Sequence, residues 1–181
     1  MSEQRGAHVP GAGSNLLFLR EQEMRLAQDL LFFAYRDFTN AADVVLEELG
    51  FGRAHHRALH FVGRSPGITV SDLLAILRIT KQSLSRVLGQ LMQQGFIIQK
   101  PGKSDRRQRL LELTEKGTEL ERQLSETQRQ RIAKAYREAG AQAVEGFRKV
   151  MTGIIGGHAD RRRFERDAQP ARPERANDGS R

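Results

Sequence analysis

The chain has 181 residues, 38% of them apolar, a formal net charge of +8 and no cysteine. That composition suits a single domain with an adequate core and excludes disulfides, thiolate metal sites and cysteine redox switches. No stretch approaches the roughly 18 apolar residues of a membrane span, and no signal-peptide pattern opens the chain, so a cytoplasmic protein is expected.

Residues 1–14 contain Gly and Ser without an apolar core and are expected to be disordered. From 15 to 50 the periodicity predicts a long helix, with Leu26, Leu30, Phe33, Phe38, Ala41, Val45 and Leu49 among its apolar positions. Arg53 to Gly63 predicts a shorter one. His56 and His60 stand there at i, i+4, a spacing that can share a metal, with His55 beside them. No Glu or third His flanks them in a recognised order. Packing or a ligand pocket serves equally, and no metal is assigned.

Thr69-Val70-Ser71-Asp72 is a variant capping box that should start a helix, with Leu73, Leu74, Ile76 and Leu77 as its apolar face. Thr80 offers a second N-cap two residues after Arg78. The helix it opens should run to about Gln94. Leu84, Val87, Leu88 and Leu91 fall on one face of that helix, while Lys81, Gln82, Ser85, Arg86, Gly89 and Gln90 lie mostly on the other. The polar face holds no acid at all, which suits a helix laid into a groove of DNA; an ordinary surface helix is the plainer alternative.

Gly95 should end the helix. Phe96 to Lys100 then reads as a strand, Pro101 to Asp105 as a turn and Arg107 to Leu113 as a second strand, together a projecting hairpin. Its tip, Lys103-Ser104-Asp105-Arg106-Arg107, can bring Arg side chains to a minor groove. Asp105 is expected to pair with a neighbouring Arg, such as Arg107, and fix the loop.

These segments carry the charge. Between Arg78 and Arg109 eight Lys or Arg face one acid, Asp105, whereas seven bases face nine acids before that stretch and fifteen face twelve after it. Positive charge concentrated on one small unit is the footprint of a polyanion-binding surface, and nucleic acid is the commonest polyanion; a solvated face with no partner is the alternative.

Thr114 should cap a helix reaching about Ala139. Ala141 to Ile155 predicts another, with Val144, Phe147, Met151 and Ile154 or Ile155 on one face. The two terminal helical segments carry more apolar surface than one small lobe can cover, and faces of that size usually find a partner chain; capping their own core in a monomer is the alternative. Residues 156–181, rich in Arg, Asp, Pro and Gly, are expected to be a disordered tail.

Helix, tight turn, helix and basic hairpin form a winged helix-turn-helix, and the residues from Gly67 to Gly117 resemble the MarR family of transcriptional regulators. The resemblance rests on Thr69-Val70-Ser71-Asp72-Leu73, Gln82-Ser83-Leu84-Ser85-Arg86-Val87-Leu88, Leu91, Gly95-Phe96-Ile97, and two signatures. The family's Asp-x-Arg wing is matched by Asp105 and Arg107. Its Leu-Thr-x-x-Gly strand-to-helix junction is matched by Leu113, Thr114 and Gly117. From about Leu16 to Gly156 the likeness continues in length and helix layout. Gly52-Arg53-Ala54-His55-His56-Arg57 together with Thr80-Lys81-Gln82-Ser83 is similar to an alphaproteobacterial branch of the family.

The resemblance implies a mainly α fold with a small β-hairpin wing, one regulator domain over 15–155, dimerisation helices over 15–50 and 114–155, and a DNA-binding lobe over 53–113. It implies a homodimer reading palindromic operator DNA, its recognition helices about one helical turn, roughly 34 Å, apart. Gln82 would bond adenine, Arg86 guanine, and Ser83 or Ser85 bases or phosphates. Lys81 and Lys103 would contact phosphates, and Arg106 and Arg107, beside Ser104 and Asp105, would serve the wing. Family members often release DNA on binding a small, frequently aromatic effector. Here the corresponding cleft would be lined by Phe33, Phe38, His56, His60 and Phe61. No cofactor is implied. No nucleophile elbow, phosphate loop or paired-carboxylate motif points to an enzyme. A nonspecific DNA-coating protein and a winged-helix adaptor for an acidic protein are the alternatives.

Overall fold

A computed structural model describes residues 14–102, 105 and 107–167. A 3₁₀ helix, Ser14–Leu19, is followed by α1 (Glu21–Glu48), α2 (Arg53–Arg64), β1 (Ile68–Thr69), α3 (Val70–Leu77), α4 (Lys81–Gln93), β2 (Ile97–Pro101), β3 (Arg109–Leu113), α5 (Glu115–Ile154) and α6 (His158–Asp167). The predicted first helix is thus divided. Arg20 is extended, with φ −65° and ψ 150°, and α1 starts beyond it with Glu21 and Glu23 in the first turn, where the helix dipole favours acids.

Three threonines place the helices of the central lobe. Thr69 Oγ1 accepts the Asp72 N–H at 3.0 Å and donates to the Asp72 carboxylate at 2.7 Å, starting α3. Thr80 Oγ1 accepts the Ser83 N–H at 3.1 Å and starts α4. Thr114 Oγ1 accepts the Gly117 N–H at 3.0 Å and donates to the Gly95 carbonyl at 2.7 Å, so the start of α5 is tied to the end of α4. Each satisfies an N–H that a helix leaves unpaired at its first turn.

Leu84, Val87, Leu88 and Leu91 of α4 are buried, as their spacing predicts. They share one core with Leu59 and Val62 of α2, Leu73 and Leu77 of α3, Ile97 and Leu111 of the sheet, and Leu120 and Leu124 of α5. The hairpin is joined by a strand that the sequence pattern does not announce. β1 pairs antiparallel with β3, Ile68 opposite Leu111 and Thr69 opposite Leu110, giving the order β1-β3-β2. Two residues are too few for an alternating pattern to be visible. The hairpin strands themselves begin one or two residues later than predicted, with Ile97 opposite Leu113 and Pro101 opposite Arg109.

α5 is broken at Gly140, whose φ of 80° and ψ of 165° are non-helical, which separates the two helices expected on either side of it. Beyond α5 the expectation of a disordered tail is corrected over part of its length: His158–Asp167 forms α6. Its composition is that of a solvated helix, and the turn before it is held by Arg161. Arg161 donates from Nε to the Ile155 carbonyl at 2.5 Å and from Nη2 to the Gly153 carbonyl at 2.9 Å, satisfying the end of α5.

α1 is buried only toward its C-terminal end, at Thr39, Ala42 and Leu46. There Gln128 Nε2 of α5 donates to the Phe38 carbonyl at 3.0 Å, and Arg131 donates to the Asp37 carbonyl. The rest of its apolar face is open. Leu30 is 61% exposed, Phe32 63% and Phe33 48%, and on α5 Phe147 is 50% and Val150 62% exposed. Among the described residues no helix is long and apolar enough to cross a membrane.

Candidate nucleic-acid interface

With Leu84, Val87, Leu88 and Leu91 turned into the core, Lys81, Gln82, Ser85, Arg86 and Gly89 of α4 stand exposed. Among the described residues no acid pairs with Lys81 or Arg86, so two cations face outward without a carboxylate partner. Lys81 is the first residue of the helix, where the unpaired N–H groups already favour an anion. A shallow groove of about 340 Å³ runs beside this face, with Val70, Leu74, Leu84 and Leu88 as its floor and Lys81 and Ser85 on its rim.

Two side chains of α4 serve the fold. Ser83 is half-buried, and its Oγ accepts the Thr80 hydroxyl at 2.9 Å within the cap of the helix. Gln90, expected on the outer face, turns its Oε1 to His55 Nε2 at 2.8 Å and locks α4 to α2. The other ring nitrogen of His55 accepts the Gly52 N–H at 3.1 Å, and the ring stacks on Phe51 with centroids 4.6 Å apart. His55 is therefore a buried strut.

At the wing, Lys103, Ser104 and Arg106 lie outside the described residues. Asp105 and Arg107 are exposed, and the expected ion pair between them is replaced by a local backbone bond: Asp105 Oδ1 accepts the Arg107 N–H at 2.9 Å. This is the Asx-turn geometry, which shapes a loop and leaves the guanidinium unspent. The Asp105 carbonyl also accepts the Gln108 N–H at 3.0 Å, and the Gln108 carbonyl accepts the Gly102 N–H at 3.0 Å, closing the base of the loop. Below it Lys100 pairs with Glu112 at 2.5 Å across the hairpin. Lys100 thus braces the wing.

The five residues of the expected effector cleft are dispersed in role. Phe33 is exposed on α1 with Arg36 over its ring at 4.8 Å, whereas Phe38 is half-buried where α1 meets α5. His60 and Phe61 are half-buried and meet edge-to-face at 5.2 Å. His60 Nδ1 lies 3.4 Å from Glu121 Oε1, which also accepts the Ser125 hydroxyl at 2.6 Å. His56 lies beside them, and burial, reinforced by the proximity of His60, pushes its imidazole below the usual histidine range. Among the described residues no group of three or more His, Cys, Asp or Glu side chains has the arrangement of a metal site.

The sequence model of the MarR family matches residues 49–108, which span the helix-turn-helix and most of the wing. The HTH-type transcriptional regulator PetP of Rhodobacter capsulatus is 50% identical over 147 residues, 81% of this chain and 88% of that protein. In overall shape the chain is similar to the crystal structure of a MarR family transcription regulator, with a TM-score of 0.62 at 19% identity over 81% of this chain and 92% of that one. It is also similar to Streptococcus pneumoniae FabT in complex with DNA, with a TM-score of 0.55 at 19% identity over 79% of this chain and 99% of that one.

Proposed function

Because the chain belongs to the MarR family and is a DNA-binding transcriptional regulator, we propose that it works as a homodimer on palindromic operator DNA in the cytoplasm, by binding rather than by catalysis. The observation that carries this reading is the exposed, acid-free face of α4 standing on a fully buried apolar one. Residues 15–50 and 114–155 serve as the dimerisation helices and 53–113 as the DNA-binding lobe of one regulator domain. The exposed Leu30, Phe32 and Phe33 of α1 with Phe147 and Val150 of α5 support that division, because a second copy would cover them.

In the groove Gln82 offers a bidentate pair of bonds to adenine and Arg86 to guanine O6 and N7. Ser85 reaches bases or phosphates, and Ser83 acts through the cap that it completes. Lys81 and Lys103 take phosphates, while Arg106 and Arg107 serve the wing beside Ser104 and Asp105. The half-buried cluster of His56, His60 and Phe61, with Phe38 and Phe33 toward the dimer helices, is the place for a small aromatic effector. Such a ligand releases DNA by binding the DNA-incompetent dimer more tightly.

Selection of genomic fragments by the purified protein at physiological salt, beside Arg86→Ala, tests this reading. One enriched palindrome, absent with the variant, is expected. Uniform retention of all fragments would mean a coating protein, and an Arg86→Ala variant that keeps its protein partner without DNA would mean an adaptor.

A further inference from the structure

The turn of the helix-turn-helix is built around a residue whose backbone is strained. Arg78 ends α3 in the left-handed region with φ 49°, a conformation that glycine adopts freely and a side chain rarely does. Its guanidinium leaves the lobe. Nη2 of Arg78 bonds Asp160 Oδ2 at 2.9 Å, joining the turn before α4 to the first turn of α6, 82 residues away. Gly157 leaves room for that bond, since a Cβ there would lie 2.8 Å from Arg78 Nη2 and 2.9 Å from Asp160 Oδ2. The docked helix is itself cationic on its leading turns. Arg161, Arg162 and Arg163 follow one another, Arg161 is engaged by the end of α5, and Arg162 and Arg163 stand exposed. The first of the three carboxylates of α6, Asp160, is turned to Arg78, with Arg163 Nε at 3.7 Å.

We infer that α6 is a second DNA-contacting arm, docked by Asp160 on Arg78 so that Arg162 and Arg163 meet the phosphates flanking each half-site. This rests on the operator-binding reading above. Arg78 lies two residues before Thr80, the N-cap of α4, so whatever Arg78 holds stands beside the end of α4 that enters the groove. Phosphate contacts of this kind carry no sequence information, and each releases condensed counterions. The arm therefore adds affinity and footprint length without altering the sequence that is read.

The test uses the full chain and two duplexes: the palindrome selected by the unaltered protein from genomic fragments, and a random duplex of equal length. Affinity is measured against salt, and hydroxyl-radical cleavage maps the protected backbone. Replacing Arg162 and Arg163 together by Ala should weaken both duplexes by the same factor and flatten the log–log salt slope by about 0.9 for each phosphate that is no longer neutralised. Protection should shrink only outside the half-sites. Asp160→Asn, which undocks the arm and leaves its cations in place, should remove the same flanking protection, with an unchanged melting temperature reporting an intact fold. Unchanged slope and footprint in the Arg variant would overturn the arm while leaving the regulator reading intact. Tighter binding by Asp160→Asn would overturn it also, by showing that Asp160 masks Arg78 from DNA. Failure of the unaltered protein to prefer any duplex would remove the operator-binding reading, and the arm with it.

Discussion

Two serines on one helix separate what a side chain does for the fold from what it can do for a ligand. Ser83 and Ser85 are equivalent candidates in the sequence, and only the cap at Thr80 decides between them. Ser83→Ala should lower stability by a fraction of the ~1 kcal/mol typical of a cap, visible in urea unfolding, while Ser85→Ala should leave the melt unchanged and act only on DNA affinity. Asp105 has the same lesson. Its proximity to Arg107 was legible, but whether a carboxylate bonds a guanidinium or a backbone N–H depends on loop dihedrals that residue type does not encode. His56 supplies a pH prediction. Its neighbours are His60, Glu121 and Asp43, and burial is the largest influence, so its folded pKa lies below its unfolded one. The folded protein then binds fewer protons, so the neutral ring's contribution is present above the unfolded pKa, about 6.5, and is lost as pH falls through the lower folded value. The melting temperature should drop between pH 7.5 and 5.5, and His56→Gln should drop less; an equal drop in both would put the sensitivity elsewhere.

At the scale of elements, the winged lobe was legible because its helices announce both ends, by a Thr cap before and an apolar face within, and because α4 keeps its polar residues on the opposite side. α6 and β1 were not. β1 has no period of its own, since it exists by pairing with β3, and α6 lies in a stretch whose composition alone suggests a solvated chain. The junction from β3 into α5 has no room for a side chain at Gly117. A Cβ on Gly117 would sit 2.0 Å from the Phe96 carbonyl oxygen, so the two backbones meet where the wing begins. Gly117→Ala should destabilise by at least the ~1–3 kcal/mol of an overpacked core, measured by chemical denaturation. Leu91, completely buried on the inner face of α4, should cost about 2–5 kcal/mol as Leu91→Ala, and wild-type stability in that variant would argue against the packing described.

For the whole molecule, charge and exposed apolar area lie in different regions. The bases are concentrated from Arg78 to Arg109, and most of the uncovered large apolar residues lie on α1 and the later part of α5, with Ile98 of the wing an exception. That separation was legible from composition and periodicity, whereas the second copy that would cover α1 leaves no mark in the sequence of one chain beyond the surplus of apolar positions. Replacing Leu30 and Phe33 by Asp should convert the proposed homodimer to a monomer in sedimentation. Binding to a single half-site should then weaken sharply, because the second lobe no longer acts at high effective concentration; an unchanged sedimentation coefficient would place the dimer contact elsewhere.

Gly140 gives this arrangement a mechanical property. From its anchorage at Thr114 and Gly117 to Ala139, α5 is a lever ~37 Å long at 1.5 Å per residue, and its regular hydrogen bonding stops at one non-helical residue. Bending of α5 would concentrate there, spanned by the edge-to-face contact of Tyr136 with Phe147 at 6.1 Å. A pivot of ~5° there carries the winged end by ~3 Å, close to the ~3.4 Å rise of one base pair. If two copies pair as proposed, their tolerance for half-site spacing should therefore follow the torsions of a glycine that lies on neither α4 nor the wing.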